Sequence, residues 1–104
     1  MGSTDAPNPP PSADAVLETV EVSGDLDFHT ADSFRDRLFT AIDRSSAVVL
    51  DAHALDFIDS SGLSVILSAR RRADERGTRF HIDGLHPRFM RLLEITGIGS
   101  LISD

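Results

Sequence analysis

Residues 47–52, Ala-Val-Val-Leu-Asp-Ala, constrain the fold of this chain more than any other stretch. They form a short, β-branched, nearly all-apolar run. That is the pattern of a central strand covered on both faces, and such strands belong to sheets whose crossovers are helices. Segments with a helical rhythm lie on either side. Before the run, Phe34, Leu38, Ala41 and Ile42 recur at i, i+4, i+7 and i+8 behind Thr30, an expected N-cap. After it, Gly62, Val65, Ile66, Ala69 and Ala73 fall within an arc of about 100° on a helix expected over residues 63–75, closed by Gly77 as a left-handed C-cap.

Two further strands and a helix complete the alternation. Residues 15–24 alternate with Leu17, Val20 and Val22 inward until Gly24 breaks the run, and residues 78–84 read as another strand. Pro87 opens a last helix with Phe89, Leu92 and Leu93 on one side, ended by Gly97 with Ile98 placed for the capping contact. Strands alternating with helices imply an α/β class: one domain over residues 15–104, with a mixed, mostly parallel sheet and helices packed on it. Residues 1–14 hold four of the five prolines and no large apolar residue except Met1. Such a segment cannot bury enough surface to offset its ordering entropy, so a disordered tail is expected.

Composition excludes several kinds of function. The formal charge is −7, all ten basic residues are arginine, and they form no stripe with interleaved aromatics, so direct nucleic-acid binding is disfavoured. A protein partner with a basic face fits better. There is no cysteine for a disulfide, a thiolate nucleophile or a cysteine-based metal site. No apolar run approaches the roughly 20 residues of a membrane span and no signal peptide is present, so no membrane association and a cytoplasmic location are expected.

The chemistry concentrates in Asp59-Ser60-Ser61-Gly62, where a strand or loop turns into a helix. A serine at such a turn can cap the helix, worth about 1 kcal/mol, which accounts for one serine and leaves the other. One of the two is therefore a candidate phosphoacceptor, exposed near the positive end of the helix dipole. Free N–H groups at the helix start are expected to tolerate the phosphate. The phosphate would bring about −1.5 to −2 charges beside Asp56 and Asp59. Beyond the loop, Leu63 and Leu67 with Arg70 form a second stripe on the helix, suited either to packing on a neighbouring helix or to docking a partner.

Competing chemistries find less support. A serine hydrolase lacks its Gly-x-Ser-x-Gly element, and none of His29, His53, His81 and His86 is assignable as a base. A phosphate-binding loop lacks its lysine. Asp25, Asp27 and His29 offer oxygen and nitrogen ligands, but the rest of a calcium loop is missing and turn chemistry accounts for the acids, so no metal and no cofactor are expected. Arg70, Arg71 and Arg72 point three ways round a helix and read as a solvated face.

Three segments together carry a family resemblance: Val-Ser-Gly-Asp-Leu-Asp from Val22, the apolar strand leading to Asp59-Ser60-Ser61-Gly62, and the closing Leu-x-x-x-Gly of Leu93 and Gly97. They resemble the STAS domains of bacterial anti-sigma factor antagonists. The resemblance implies a single STAS-type α/β domain and a partner-switching mechanism, not an enzyme. The unphosphorylated antagonist binds an anti-sigma factor that is itself a serine kinase, and so frees the sigma factor. Phosphorylation on the first serine, here Ser60 with Ser61 as second choice and otherwise the cap, ends binding; Asp59 and Gly62 would shape the acceptor loop, and a metal-dependent serine phosphatase restores binding. The surface expected to meet the kinase comprises Asp25, Asp27, His29, Phe57, Leu63, Leu67 and Arg70. The chain runs only a few residues past Gly97, where the family often adds a helix, and a monomer or weak dimer is expected. The alternative is a non-switching STAS scaffold or ligand-sensing interaction module in which Ser60 merely caps.

Overall fold

The apolar run at residues 47–52 starts the middle strand of a three-stranded sheet. The structure, a computed structural model, describes residues 16–96. In chain order the elements are β1 (Leu17–Leu26), α1 (Ala31–Arg44), β2 (Ala47–Ile58), α2 (Ser60–Arg76), β3 (Arg79–Asp83), a 3-10 turn (Pro87–Phe89) and α3 (Met90–Thr96). The expected proline-rich tail, Gly97, Ile98 and the closing residues lie outside the described residues.

The strand order is β1-β2-β3, and both pairings are parallel. The α/β expectation is borne out, and the described part of the sheet is wholly parallel. Because the strands follow chain order, right-handed crossovers put α1 and α2 on one face. That corrects the reading of β2 as covered on both sides. Val48, Leu50 and Ala52 are buried beneath the helices, whereas Ala47, Val49 and Asp51, on the opposite face, are only half-buried.

The core lies between the sheet and the helices. It joins Phe34, Leu38 and Ile42 of α1 to Val65, Ile66 and Ala69 of α2, with Phe89 and Leu93 closing one side. Every member of the predicted arc on α2 is buried, Gly62 and Ala73 included. Arg72 is not part of a solvated face: its guanidinium makes two 2.6 Å hydrogen bonds to the Asp43 carboxylate of α1 and lies 5.0 Å from the Phe39 ring centroid. Arg76 adds a 3.0 Å bond to the Asp43 carbonyl, so the two helices are clamped at that end.

Two strand expectations change. Leu17 is exposed at the start of β1, leaving Val20 and Val22 to carry the inward face. Gly24, with φ +67°, does not end the strand. It sits in a register irregularity, and pairing resumes from Asp25 with Phe57 and Leu26 with Ile58. The extra residue there, Asp56, lies on β2, so β2 carries the bulge while β1 still delivers the following turn to the end of β2. At the other end of β1, Glu18 accepts from Arg44 and Ser45, and these hydrogen bonds hold its carboxyl down to about 2. On the open face of β2, His53 Nδ1 lies 2.6 Å from Asp51, which raises the imidazole pKa and lowers that of the carboxyl.

Candidate functional site

Parallel strands deliver the turns that follow them to one end of the sheet, and in open α/β sheets that end is where sites form. Here the turn after β1 and the junction after β2 meet through a single side chain, Asp59. Its backbone is extended, φ −110° and ψ −172°, and it is the residue before the first helical turn. One carboxylate oxygen, Oδ1, accepts from Ser61 N at 2.7 Å and Gly62 N at 3.1 Å. The other, Oδ2, accepts from Phe28 N at 3.2 Å, and Asp59 N donates back to the Leu26 carbonyl at 3.1 Å. The cap of α2 and the latch between the two loops are thus the same group.

This changes the expected division of labour between the serines. Helix α2 begins at Ser60, so Ser60 and Ser61 both lie inside the first turn and Asp59 is the cap. Ser60 is exposed and Ser61 half-buried. The helix-start N–H groups of Ser61 and Gly62 are not free, as they were expected to be, because the Asp59 carboxylate already holds them. Gly62 is buried where α2 crosses β1, and a Cβ there would stand 2.6 Å from both Leu26 Cγ and the Leu26 carbonyl oxygen. Only glycine lets the helix start this close to the sheet.

The turn after β1 is built by Asp27. Its carboxylate accepts from His29 N at 2.8 Å and Thr30 N at 3.2 Å. Thr30 stands at the cap position of α1, but its hydroxyl donates to the Asp25 carbonyl and accepts from Asp27 N instead of capping the helix. The Asp27 carboxylate therefore serves the backbone of the turn. Among the described residues no group of three or more metal-ligating side chains comes together.

The remaining predicted residues are placed as follows. Asp25 is exposed near the end of β1, His29 is exposed in the turn after it, and Phe57 is exposed on β2 opposite Asp25. Leu63 and Leu67 are half-buried against the core, so the stripe they form serves packing as well as surface. Arg70 is half-buried one turn further along α2. Phe28 was missed. It is 76% exposed, its ring meets that of His29 edge to face at 5.6 Å, and it lines a groove with Ser61 and Ser64 of α2. The signal was present in the sequence as an aromatic residue set in an acidic turn. The histidines that do form side-chain hydrogen bonds do so away from the two serines, His53 with Asp51 and His86 with the Arg88 amide. No helix among the described residues is long and apolar enough to cross a membrane.

The cap assignment makes a stability prediction. Asp59→Ala should lower stability by about 1–2 kcal/mol, the usual loss of a side-chain cap. Ser60→Ala, at an exposed site, should stay within about 0.5 kcal/mol of the wild type. Urea unfolding followed by circular dichroism reads both, and an equal loss for the two would return the cap to Ser60.

The STAS domain family model matches residues 13–103. An anti-sigma F factor antagonist from Paenibacillus polymyxa is 37% identical over 81 residues, which span 76% of this chain and 69% of that protein. An anti-sigma-B factor antagonist from Listeria monocytogenes is 30% identical over 82 residues, spanning 78% and 72%. Among solved structures, the anti-sigma factor antagonist SpoIIAA in its unphosphorylated form superposes with a TM-score of 0.72 at 24% identity, covering 83% of this chain and 76% of that one. The phosphorylated form of SpoIIAA, a Bacillus cell fate determinant, gives 0.70 at the same identity, covering 83% and 79%. With a family model that matches nearly its whole length and relatives at this level of identity, the chain belongs to the STAS domain family.

Proposed function

We propose that the protein is an anti-sigma factor antagonist: it binds an anti-sigma factor serine kinase while Ser60 is unmodified and releases it once Ser60 is phosphorylated. A serine phosphatase resets the switch. The observation that carries this reading is the separation of duties at the start of α2. Asp59 does the capping and latching, which leaves the Ser60 hydroxyl exposed and without a structural task. A scaffold reading in which Ser60 serves as the cap loses its premise for the same reason.

The charge step follows from the occupied amides. In phosphoryl transfer the Ser60 oxygen forms a bond to the γ-phosphorus of kinase-bound ATP, the bond to ADP breaks, and the hydroxyl proton leaves to a base on the kinase. The new group carries about −1.5 to −2 charges. A helix N-terminus ordinarily absorbs an anion through its free N–H groups. Here two of those groups already face Asp59. The phosphate charge therefore adds to that of Asp59 and is presented outward, where a docked partner would have to desolvate it. Support for a phosphorylated state comes from the relative SpoIIAA, which is known in both forms.

The test is site mapping. The protein is incubated with Mg-ATP and each purified kinase-type anti-sigma factor encoded in its genome, then cleaved at arginine. Because the chain has no lysine, Ser60 and Ser61 fall in one peptide, residues 45–70, and fragmentation within it separates them. One phosphate on Ser60 is expected; none on either serine with any of the kinases would overturn the proposal.

A further inference from the structure

The chain has six aromatic residues, all phenylalanine. Phe34, Phe80 and Phe89 are buried, and Phe39 is half-buried against the core beneath Arg35 and Arg72. The two left in water, Phe28 at 76% and Phe57 at 49% exposure, both stand at the end of the sheet that carries Ser60. A single exposed apolar side chain means little. Phe28 differs because it is held in place. Its amide is fixed by Asp59 Oδ2 at 3.2 Å, its ring is braced edge to face by His29, and it walls a groove of about 480 Å³ between α1 and α2 that Ser61 and Ser64 also line. With the backbone fixed, the ring has only two side-chain torsions to lose on binding, which is what makes aromatic residues good interface anchors.

The charges around it indicate what it fits. Asp25 is exposed near the end of β1, Asp32 lines the groove, and Asp59 lies between the turn and α2. Arg35, the one cation among the described residues lining that groove, lies 5.1 Å from the Phe39 ring centroid. An exposed aromatic ring rimmed by carboxylates is complementary to an apolar socket rimmed by arginine or lysine.

We propose that Phe28 is the aromatic anchor of the partner interface, seated in an apolar, basic-rimmed socket of the kinase, and that it sets which kinase the protein recognises. This rests on the reading of the Ser60 end as a kinase-binding surface. The latch ties anchor to switch: the carboxylate that positions Phe28 also caps the turn holding Ser60, so a phosphate there appears beside the socket. Phe28 thereby determines affinity without taking part in the phosphoryl transfer.

The experiment is a kinase titration by calorimetry and surface-binding kinetics, with the full chain and the same purified kinases. Phe28→Ala should weaken binding by about 30-fold. Its thermal midpoint should match the wild type, since the ring is exposed. Phe28→Leu should recover part of the loss. In phosphorylation assays Phe28→Ala should raise KM and leave kcat unchanged, because the Ser60 hydroxyl is intact. Asp25→Asn with Asp32→Asn should slow association several-fold and flatten its salt dependence. Ile95→Ala, at a site 78% exposed on α3, is the control and should bind as the wild type does. Wild-type binding with no loss in Phe28→Ala overturns the anchor alone. Association insensitive to salt overturns the basic socket, and absence of wild-type binding to every kinase overturns the proposed function together with this inference.

Discussion

Ser60→Asp is expected to weaken kinase binding by about 100-fold, and Ser60→Ala to leave it unchanged. The magnitude follows from placing one new charge at an interface already carrying Asp59. Repulsion from Asp59 is present in the free and bound forms alike, so the loss comes from desolvating the new charge in the docked contact: an unpaired charge shut into an interface costs about 3 kcal/mol, and each 1.4 kcal/mol is tenfold in affinity. The helix N-terminus offers little compensation because the Ser61 and Gly62 amides are already engaged by Asp59. Aspartate carries a smaller charge than phosphoserine, so its effect is a lower bound on that of the natural modification. Ser60→Ala removes an exposed hydroxyl that serves neither cap nor latch, so its affinity should match the wild type. Calorimetry with both variants measures the difference, and equal affinities would reject the charge mechanism.

Gly62→Ala should be the most damaging single-methyl change at the site. The added Cβ would stand 2.6 Å from Leu26 Cγ, 2.6 Å from the Leu26 carbonyl oxygen and 3.0 Å from Ile58 Cγ1. A side chain can rotate away from such a contact. The Leu26 carbonyl is less free, because it accepts the Asp59 amide at 3.1 Å. Relief therefore requires α2 to back off the sheet and stretch the latch. Alanine in a helix favours folding by up to about 1 kcal/mol over glycine, but overpacking of this kind costs about 1–3 kcal/mol. The net expectation is a loss of about 1–2 kcal/mol, or roughly 5–10 °C in thermal midpoint for a domain of this size. Phosphorylation of Ser60 should slow as well, because the acceptor moves with the helix start. A raised midpoint would mean that α2 can shift freely, and with it the account of Asp59 as a latch would fail.

What the sequence made legible was local and periodic. The arc of Gly62, Val65, Ile66, Ala69 and Ala73 is buried as its spacing required, and Gly77, at φ +72°, caps α2 as a left-handed residue. The alternation of strand and helix was enough to place the two loops after β1 and β2 at one end. The helix start was set too late, at Leu63, and that error hid Asp59 as the cap behind two serines. Asp directly before Ser-Ser-Gly was the available signal, since aspartate caps as well as serine does.

Other features could not be read from sequence because they depend on which residues meet. The Asp59 bond to the Phe28 amide joins positions 31 residues apart. The Arg72 clamp on Asp43 turns a run of three arginines from a solvated face into a helix–helix tie. Gly24 looked like a strand breaker because glycine usually weakens strands, yet pairing with β2 carries β1 past it.

The central claim is that one phosphate on Ser60 turns binding off. The most direct test titrates the kinase, loaded with ADP, with the protein before and after stoichiometric phosphorylation of Ser60. The account predicts saturable binding before modification, no measurable heat at the same concentrations afterwards, and full recovery once a serine phosphatase has removed the group. Equal binding by the two forms would contradict it.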